Sequence, residues 1–169
     1  MDELSEDGPG AWFVLHTRSR QEKALAEDLT ARGISYFLPL VNKVRYWGKR
    51  KAMVDEPLFP GYLFLRGELE DAYTADRTRR VARIIAVSDQ KRLLWELQNL
   101  SRALRNQAPL DPYPYLRKGV RVEVKSGPLR GLQGLVESRT SIERLILAVD
   151  MLGQAVSVEL HGAMVDPLD

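Results

Sequence analysis

The segment EPLFPGYLF, Glu56–Phe64, constrains the fold more than any other part of the sequence. Its two prolines fix the backbone and Gly61 permits a tight turn, so a rigid turn should precede Tyr62. Tyr62 to Leu65 is an apolar run of the kind that forms a buried strand. Because side chains alternate along a strand, Tyr62 and Phe64 are predicted to lie on one face.

Strands and helices alternate on both sides of this segment, across residues 11–106. The predicted elements are a strand at Trp12 to Leu15, an amphipathic helix opened by the capping-box pair Ser19 and Glu22 and closed by Gly33, a β-rich segment at Ser35 to Val41, a hairpin of Val44 to Trp47 and Lys51 to Val54 with a basic tip, strands at Tyr62 to Leu65 and Val81 to Val87 with a short helix between them, and a leucine-rich helix capped by Ser88 or Asp89. The sum is an α+β sandwich in which helices pack on a mostly antiparallel sheet.

The segment 107–118 separates this region from a different one. It contains Pro109, Pro112 and Pro114, which remove amide donors and favour an extended linker. Residues 119–169 then show period-2 alternation, with glycines predicted at turns: Gly127, Gly131, Gly134 and Gly153. Five short strands in so few residues are typical of a small SH3-like β-barrel, and the glycines argue against a helical hairpin there.

Charge is distributed unevenly along the chain. Residues 1–10 carry four acidic residues and no basic one, which predicts a disordered acidic tail. Residues 11–106 carry 18 Lys/Arg and 11 Asp/Glu, whereas residues 119–169 carry five and seven. The middle region is therefore the one suited to phosphate.

Composition excludes several function classes. The chain has no cysteine, and its two histidines, His16 and His161, fall in different predicted domains. We find no nucleophile–base spacing, no phosphate-binding glycine loop and no metal-ligand cluster, so we expect no enzyme activity, no metal and no cofactor. No apolar run is long enough to span a bilayer, and a cytoplasmic monomer is expected.

Two motifs resemble the NusG/RfaH family of transcription factors. GKR at 48–50 followed by EPLFPGYLF at 56–64 is similar to the family's N-terminal (NGN) domain, as is WFVLHTRSRQEKAL at 12–25. KGVRV at 118–122, with the glycines of 127–134, resembles the KOW motif that opens the family's C-terminal barrel. The resemblance covers residues 11–168 in the family's order, and it implies an NGN domain at 11–106, a linker at 107–118 and a KOW domain at 119–169.

The resemblance implies a transcription elongation and antitermination factor. Such a factor binds the clamp helices of RNA polymerase, bridges the main cleft and promotes processive elongation. The matching positions for the clamp-helix patch are His16, Tyr62, Phe64 and Val87. Aromatic residues on rigid strands are typical of interface hot spots, although strand aromatics more often belong to a core.

Seven basic residues are candidates for nucleic-acid contact: Arg18, Arg20, Lys49, Arg50, Arg79, Arg80 and Arg83. Without the resemblance they would be read as a solvated face; with it, Arg18 and Arg79 match positions that touch non-template DNA. RfaH-like sequence readers carry His-Thr-Thr-Thr shortly before the matched arginine, where this chain has Asp71-Ala72-Tyr73-Thr74. An aspartate beside phosphate is unfavourable, so recognition of that same promoter-proximal element is not expected. The GKR and EPLFPGYLF motifs nevertheless resemble specialised paralogues more than general NusG.

The C-terminal domain has its own implied partners. In the family, apolar residues of the barrel loops bind a ribosomal small-subunit protein or Rho, and the matching positions are Leu129, Leu132, Met151 and Leu152. Two alternatives stay open: a KOW-type RNA-binding or ribosome-associated module, and a structural adaptor without nucleic-acid contact. The net negative charge of residues 119–169 argues against RNA binding there.

Overall fold

The computed structural model describes residues 4–116 and 118–168, which fall into two compact units, Met1–Gln90 and Lys91–Asp169. The elements of the first unit are β1 (Ala11–Thr17), α1 (Glu22–Ala31), β2 (Ser35–Phe37), β3 (Leu40–Trp47), β4 (Arg50–Pro57), β5 (Tyr62–Gly67), α2 (Leu69–Arg77) and β6 (Val81–Ala86). Four strands form an antiparallel sheet in the order β2-β5-β1-β6, while β3 and β4 form a separate two-stranded ribbon. The prediction of an α+β region with an antiparallel sheet is confirmed.

The core of the first unit lies between one face of the sheet and the two helices. Leu15 and Leu63 point from the sheet toward Leu25 and Leu29 of α1, and all four are fully buried. Because side chains alternate along β1 and β5, the neighbouring residues His16 and Tyr62 lie on the opposite face of the sheet.

Two local predictions for this unit differ from the structure. The tail at residues 1–10 was predicted to be disordered, and its first three residues lie outside the described part of the chain. Within residues 4–10, however, Leu4 is buried and the Arg66 guanidinium donates to the carbonyls of Ser5 and Gly8. The capping box predicted at Ser19 does not form, because α1 begins at Glu22 with Gln21 as its N-cap and no side-chain cap. The Glu22 carboxylate makes a different bond, described below.

The second unit is a helix with an antiparallel sheet. Its elements are α3 (Gln90–Arg105), β7 (Asp111–Tyr113), β8 (Val120–Val124), β9 (Gln133–Val136), β10 (Arg144–Val149), a 3-10 turn (Asp150–Leu152), β11 (Gln154–Glu159) and β12 (Val165–Pro167). The first residue of α3, Gln90, belongs to the first unit. The sheet order is β12-β8-β9-β10-β11-β7. The β prediction for this region is confirmed, but the five-stranded closed barrel is wrong, because six strands pair and the outer strands β12 and β7 do not pair with each other.

The sixth strand comes from the predicted linker. Asp111–Tyr113 pairs with β11 at the edge of the sheet, where Pro112 needs no ladder donor. Gly134 also differs from its prediction. It lies inside β9 instead of a turn, and a Cβ there would be 2.7 Å from the Ile146 carbonyl oxygen. Glycine is needed here for close approach of two strands.

Helix α3 joins the second unit through polar contacts with the sheet, whereas the sequence predicted it within the N-terminal domain. The Trp95 indole Nε1 donates to the Gln133 side chain at 2.7 Å, and the Asn99 side-chain oxygen accepts from the Gln133 backbone N–H at 2.9 Å. The Asp150 backbone N–H donates to the Glu96 carboxylate at 3.0 Å. These bonds tie the helix to β9 and to the turn after β10.

Candidate interaction site

A fixed turn places Tyr62 at the end of β5. The Gly61 backbone N–H donates to the Glu22 carboxylate at 2.8 Å, and the Gly61 carbonyl accepts from the Thr17 backbone N–H at 2.8 Å. Gly61 has a φ of +88°, a conformation that side-chain-bearing residues rarely adopt. The Glu22 side chain is buried, so this charge-assisted bond is protected from water. The rigid turn predicted from the prolines and Gly61 is present.

The aromatic side chains of His16 and Tyr62 stack directly in front of this turn. The two residues are cross-strand partners on β1 and β5, their ring centroids are 5.0 Å apart and their planes differ by 19°. Both side chains are half-buried, so part of each ring faces solvent. The pair therefore forms a preorganised aromatic surface on the sheet face that α1 and α2 leave uncovered.

Arg83 and Val87 extend this surface along β6. Arg83 is the cross-strand partner of His16, so both side chains project from the same face, and Arg83 is exposed. The half-buried Val87 follows the end of β6. Its carbonyl accepts from the Gln90 side chain, which also bonds to both the N–H and the carbonyl of Trp12. Three of the four predicted polymerase-binding residues, His16, Tyr62 and Val87, are thus partly accessible.

Phe64 is the exception among the four. Its side chain has 0% exposure and packs against Phe37, with ring centroids 6.4 Å apart. Phe64 lies on the same face of the sheet as Tyr62, as predicted. Their cross-strand partners Val14 and His16 are two residues apart on β1 and therefore also share that face. Its predicted role as a contact residue is not compatible with this burial, and Phe64 supports the site as core.

The arginine-bearing turns lie next to each other at one edge of the sheet. The Arg18 backbone N–H, after β1, donates to the Arg80 carbonyl, before β6, at 2.8 Å. Arg20 and Arg79 adopt left-handed backbone conformations, with φ of +60° and +66°. Such conformations are uncommon for residues with a side chain and are concentrated at functional sites. The structure therefore brings together four of the seven predicted nucleic-acid-binding residues.

These arginines differ in their availability. Arg80 is engaged internally, because its guanidinium donates to the Asp28 carboxylate at 2.7 Å and to the Gln21 side chain at 2.5 Å. Among the described residues, Arg18, Arg79 and Arg83 have exposed side chains with no ion pair to an acidic group. Arg80 is better placed to fix the turn than to meet a phosphate.

Lys49 and Arg50 occupy the tip of the β3–β4 hairpin, away from the arginine turns in the chain. The hairpin closes at Gly48, which has a φ of +61°, and both basic residues are exposed. The basic residues predicted to bind nucleic acid therefore belong to two distinct groups.

Three of the four predicted C-terminal contact residues are accessible. Met151 is exposed, and Leu129 and Leu152 are partly exposed. Leu132 has 0% exposure, and its carbonyl accepts from the Val124 backbone N–H, so it belongs to the core of the second unit. The prediction that Leu132 contacts a partner is not compatible with this position.

Residues 4–116 and 118–168 contain no group of three His, Asp or Glu side chains arranged to hold a metal ion. Burial raises the pKa of Glu96 to about 7, and the neighbouring Asp150 carboxylate adds to the rise. The hydrogen bond from the Asp150 backbone and the ion pair with Arg92 indicate a structural role for Glu96.

In the same described part of the chain, no helix is long and apolar enough to cross a membrane.

Sequence reasoning missed two residues that build the site. Glu22 was interpreted as part of a capping box, although its carboxylate fixes the Gly61 turn across 39 positions. Gln90 was not singled out at all, although it joins Val87 to β1. A long-range bond from a charged side chain to a backbone amide has no local signature, so only the three-dimensional structure identifies it.

Comparison with known proteins gives one family match and several similar solved structures. A family model described as "Transcription termination factor nusG" matches residues 10–98, more than half of the chain. The structure described as "Domain interaction in Thermotoga maritima NusG" shares 22% identity over 94% of this chain and 97% of that one, with a TM-score of 0.43. An MjSpt4:Spt5 complex, conformation A, shares 16% identity over 92% and 98%, with a TM-score of 0.28.

The family match identifies the antiparallel sheet backed by two helices as a domain of the NGN class. The match over residues 10–98 is more specific: the chain belongs to the NusG family of transcription elongation factors, whose members are not enzymes.

Proposed function

We propose that this chain is an elongation and antitermination factor that binds the clamp helices of RNA polymerase, bridges the cleft and promotes processive elongation. The observation that carries the proposal is the stacked pair of His16 and Tyr62, held by the Gly61 turn and flanked by Arg83. An aromatic surface that is already ordered loses little entropy on binding, which favours a protein interface. Val87 completes the polymerase-binding surface, and Phe64 acts from the core.

The arginine turns support contact with non-template DNA in the elongation complex. Arg18, Arg20, Arg79 and Arg83 carry the positive charge, and Arg80 holds the turn through Asp28. The acidic side chain of Asp71 accepts from the Glu68 backbone N–H at the start of α2. This segment thus has a capping aspartate where RfaH-like factors have hydroxyl donors. We therefore propose contact with the DNA backbone in place of recognition of the element that those factors read.

The C-terminal region, with its KOW-like motif, is proposed to recruit a ribosomal small-subunit protein or Rho. Leu129, Met151 and Leu152 are the accessible apolar residues that would carry this contact. The factor acts as a cytoplasmic monomer and is nearer to the specialised paralogues than to general NusG. The family membership and the net negative charge of residues 119–169 weigh against the alternative of a KOW-type RNA-binding module.

Affinity for RNA polymerase tests the proposal. Full-length Tyr62→Ala should bind core polymerase roughly 30-fold more weakly than wild type, since a hot-spot residue contributes about 2 kcal/mol. Tyr73→Ala is the matched control, because Tyr73 is an exposed tyrosine on α2. Tyr62→Phe keeps the stacked ring and should bind almost normally. A folded Tyr62→Ala variant with wild-type affinity would refute the assignment of this surface.

A further inference from the structure

The β3–β4 hairpin is an arm that pairs with no other strand among the described residues. Its strands run in register for eight pairs, from Leu40 with Pro57 to Trp47 with Arg50. An isolated two-stranded ribbon is only marginally stable by itself. It encloses no core in which large apolar side chains near its tip could be buried. The composition of the tip therefore needs another explanation.

Large apolar side chains near the tip are exposed. Tyr46 is 69% exposed, Trp47 60% and Met53 60%. The two aromatic residues are adjacent in sequence, so they project from opposite faces of the ribbon. Exposed aromatic residues concentrated in this way indicate a contact surface.

The same segment is strongly basic. Residues 43–54 contain five Lys/Arg and no Asp/Glu. Arg45 forms a bidentate ion pair with Glu56 at the base of the hairpin, which leaves the tip cations without an acidic partner among the described residues. A negatively charged partner would complement this surface electrostatically.

Each aromatic residue near the tip has a cation as its cross-strand partner. Tyr46 faces Lys51 on one side of the ribbon, and Trp47 faces Arg50 on the other. A flat ring beside a positive charge matches one nucleotide, because the base stacks on the ring while the cation binds the phosphate. A paired duplex does not offer its base faces to such a ring, whereas an unpaired strand does.

We propose that the hairpin tip binds single-stranded nucleic acid, with bases stacked on Trp47 and Tyr46 and phosphates bound by the neighbouring lysines and arginine. The proposal rests on the proposed function only in assigning Lys49 and Arg50 to nucleic-acid contact. It adds a second site, separate in the chain from the arginine turns, and adds contact with the bases.

Binding to oligonucleotides that differ only in their bases tests this. Full-length protein is titrated, without polymerase, into fluorescently labelled 12-nucleotide single strands and into abasic strands of the same length. The base-containing strand should bind at least about fivefold more tightly, and Trp47→Ala should remove most of that difference while binding of the abasic strand stays the same. Tyr73→Ala is the matched aromatic control, and DNA and RNA arms identify which strand is preferred.

Tryptophan fluorescence provides an independent signal. Trp12 is buried and the Trp95 ring has Arg92 and Arg121 against it, so Trp47 is the tryptophan that is largely open to solvent. The base-containing strand should quench wild-type fluorescence, whereas the abasic strand should not. Trp47→Phe should abolish the quenching and keep most of the affinity.

Three outcomes would overturn the proposal. They are equal affinity for base-containing and abasic strands, an unchanged preference in Trp47→Ala, and competition by polyglutamate equal to that of the oligonucleotide, which would indicate an acidic protein partner. The polymerase affinity of Trp47→Ala is measured in parallel. If Trp47→Ala binds polymerase normally while the wild-type protein shows no base preference, the hairpin proposal fails and the polymerase proposal stands.

Discussion

Removal of the Glu22 carboxylate should loosen the turn that presents Tyr62. In Glu22→Ala the Gly61 N–H loses a charged acceptor 2.8 Å away, within a buried site. A hydrogen bond to a charged group contributes about 2 kcal/mol, so the unfolding free energy should fall by that amount. The same loss should also appear locally: hydrogen exchange of the Gly61 amide should be roughly 30-fold faster in Glu22→Ala than in wild type.

Urea unfolding and amide hydrogen exchange by NMR measure the two effects. Glu22→Gln keeps an oxygen acceptor and loses the charge near the start of α1, so it should lose about half as much stability. Glu27→Ala makes the same substitution at an exposed position of α1 and controls for helix propensity. If Glu22→Ala changes the unfolding free energy by no more than Glu27→Ala and leaves the Gly61 amide protected, the turn is not held as described.

Two further changes test other parts of the protein. Because the pKa of Glu96 is raised to about 7, the folded protein retains a proton that the unfolded chain releases near its ordinary value of 4.5. The contribution of Glu96 is thus fully present below about pH 4.5 and is lost as the pH rises through about 7, a change of about 3 kcal/mol that urea unfolding at several pH values should show in wild type and not in Glu96→Gln. Charge removal in Arg18→Gln with Arg79→Asn, where asparagine tolerates the left-handed backbone, should lower the salt slope of elongation-complex binding by about 0.7 per lost contact, and an unchanged slope would argue against DNA at this edge.

The sequence predicted most of the first unit because its signals are local. The proline–glycine turn, the alternation after Tyr62 and the leucine spacing of α1 each reflect the geometry of one element. The face shared by His16 and Tyr62 follows from the same period-2 rule together with the family resemblance. These features do not depend on a distant part of the chain.

The wrong predictions depend on distant contacts. Phe64 lies on a strand and Leu132 just before β9, and both were predicted to be accessible. Exposure is decided by what covers each side chain, which the local sequence pattern does not show. The extra strand β7 arises because β11 offers a free edge to a proline-rich segment that has little strand propensity of its own. Likewise, Arg80 resembles its exposed neighbours in sequence, yet Asp28 of α1 lies within reach of its guanidinium.

Site-specific photocrosslinking from position 62 tests the central claim most directly. A photoreactive phenylalanine analogue replaces Tyr62 in the full-length protein, keeps an aromatic ring beside His16, and is activated in a complex with RNA polymerase. The same analogue at Tyr73, an exposed position on α2, is the control. We expect the crosslinked peptide from position 62 to map to the clamp helices and the control to give none there. A folded protein that binds polymerase but crosslinks from position 62 to another surface, or not at all, would contradict the account.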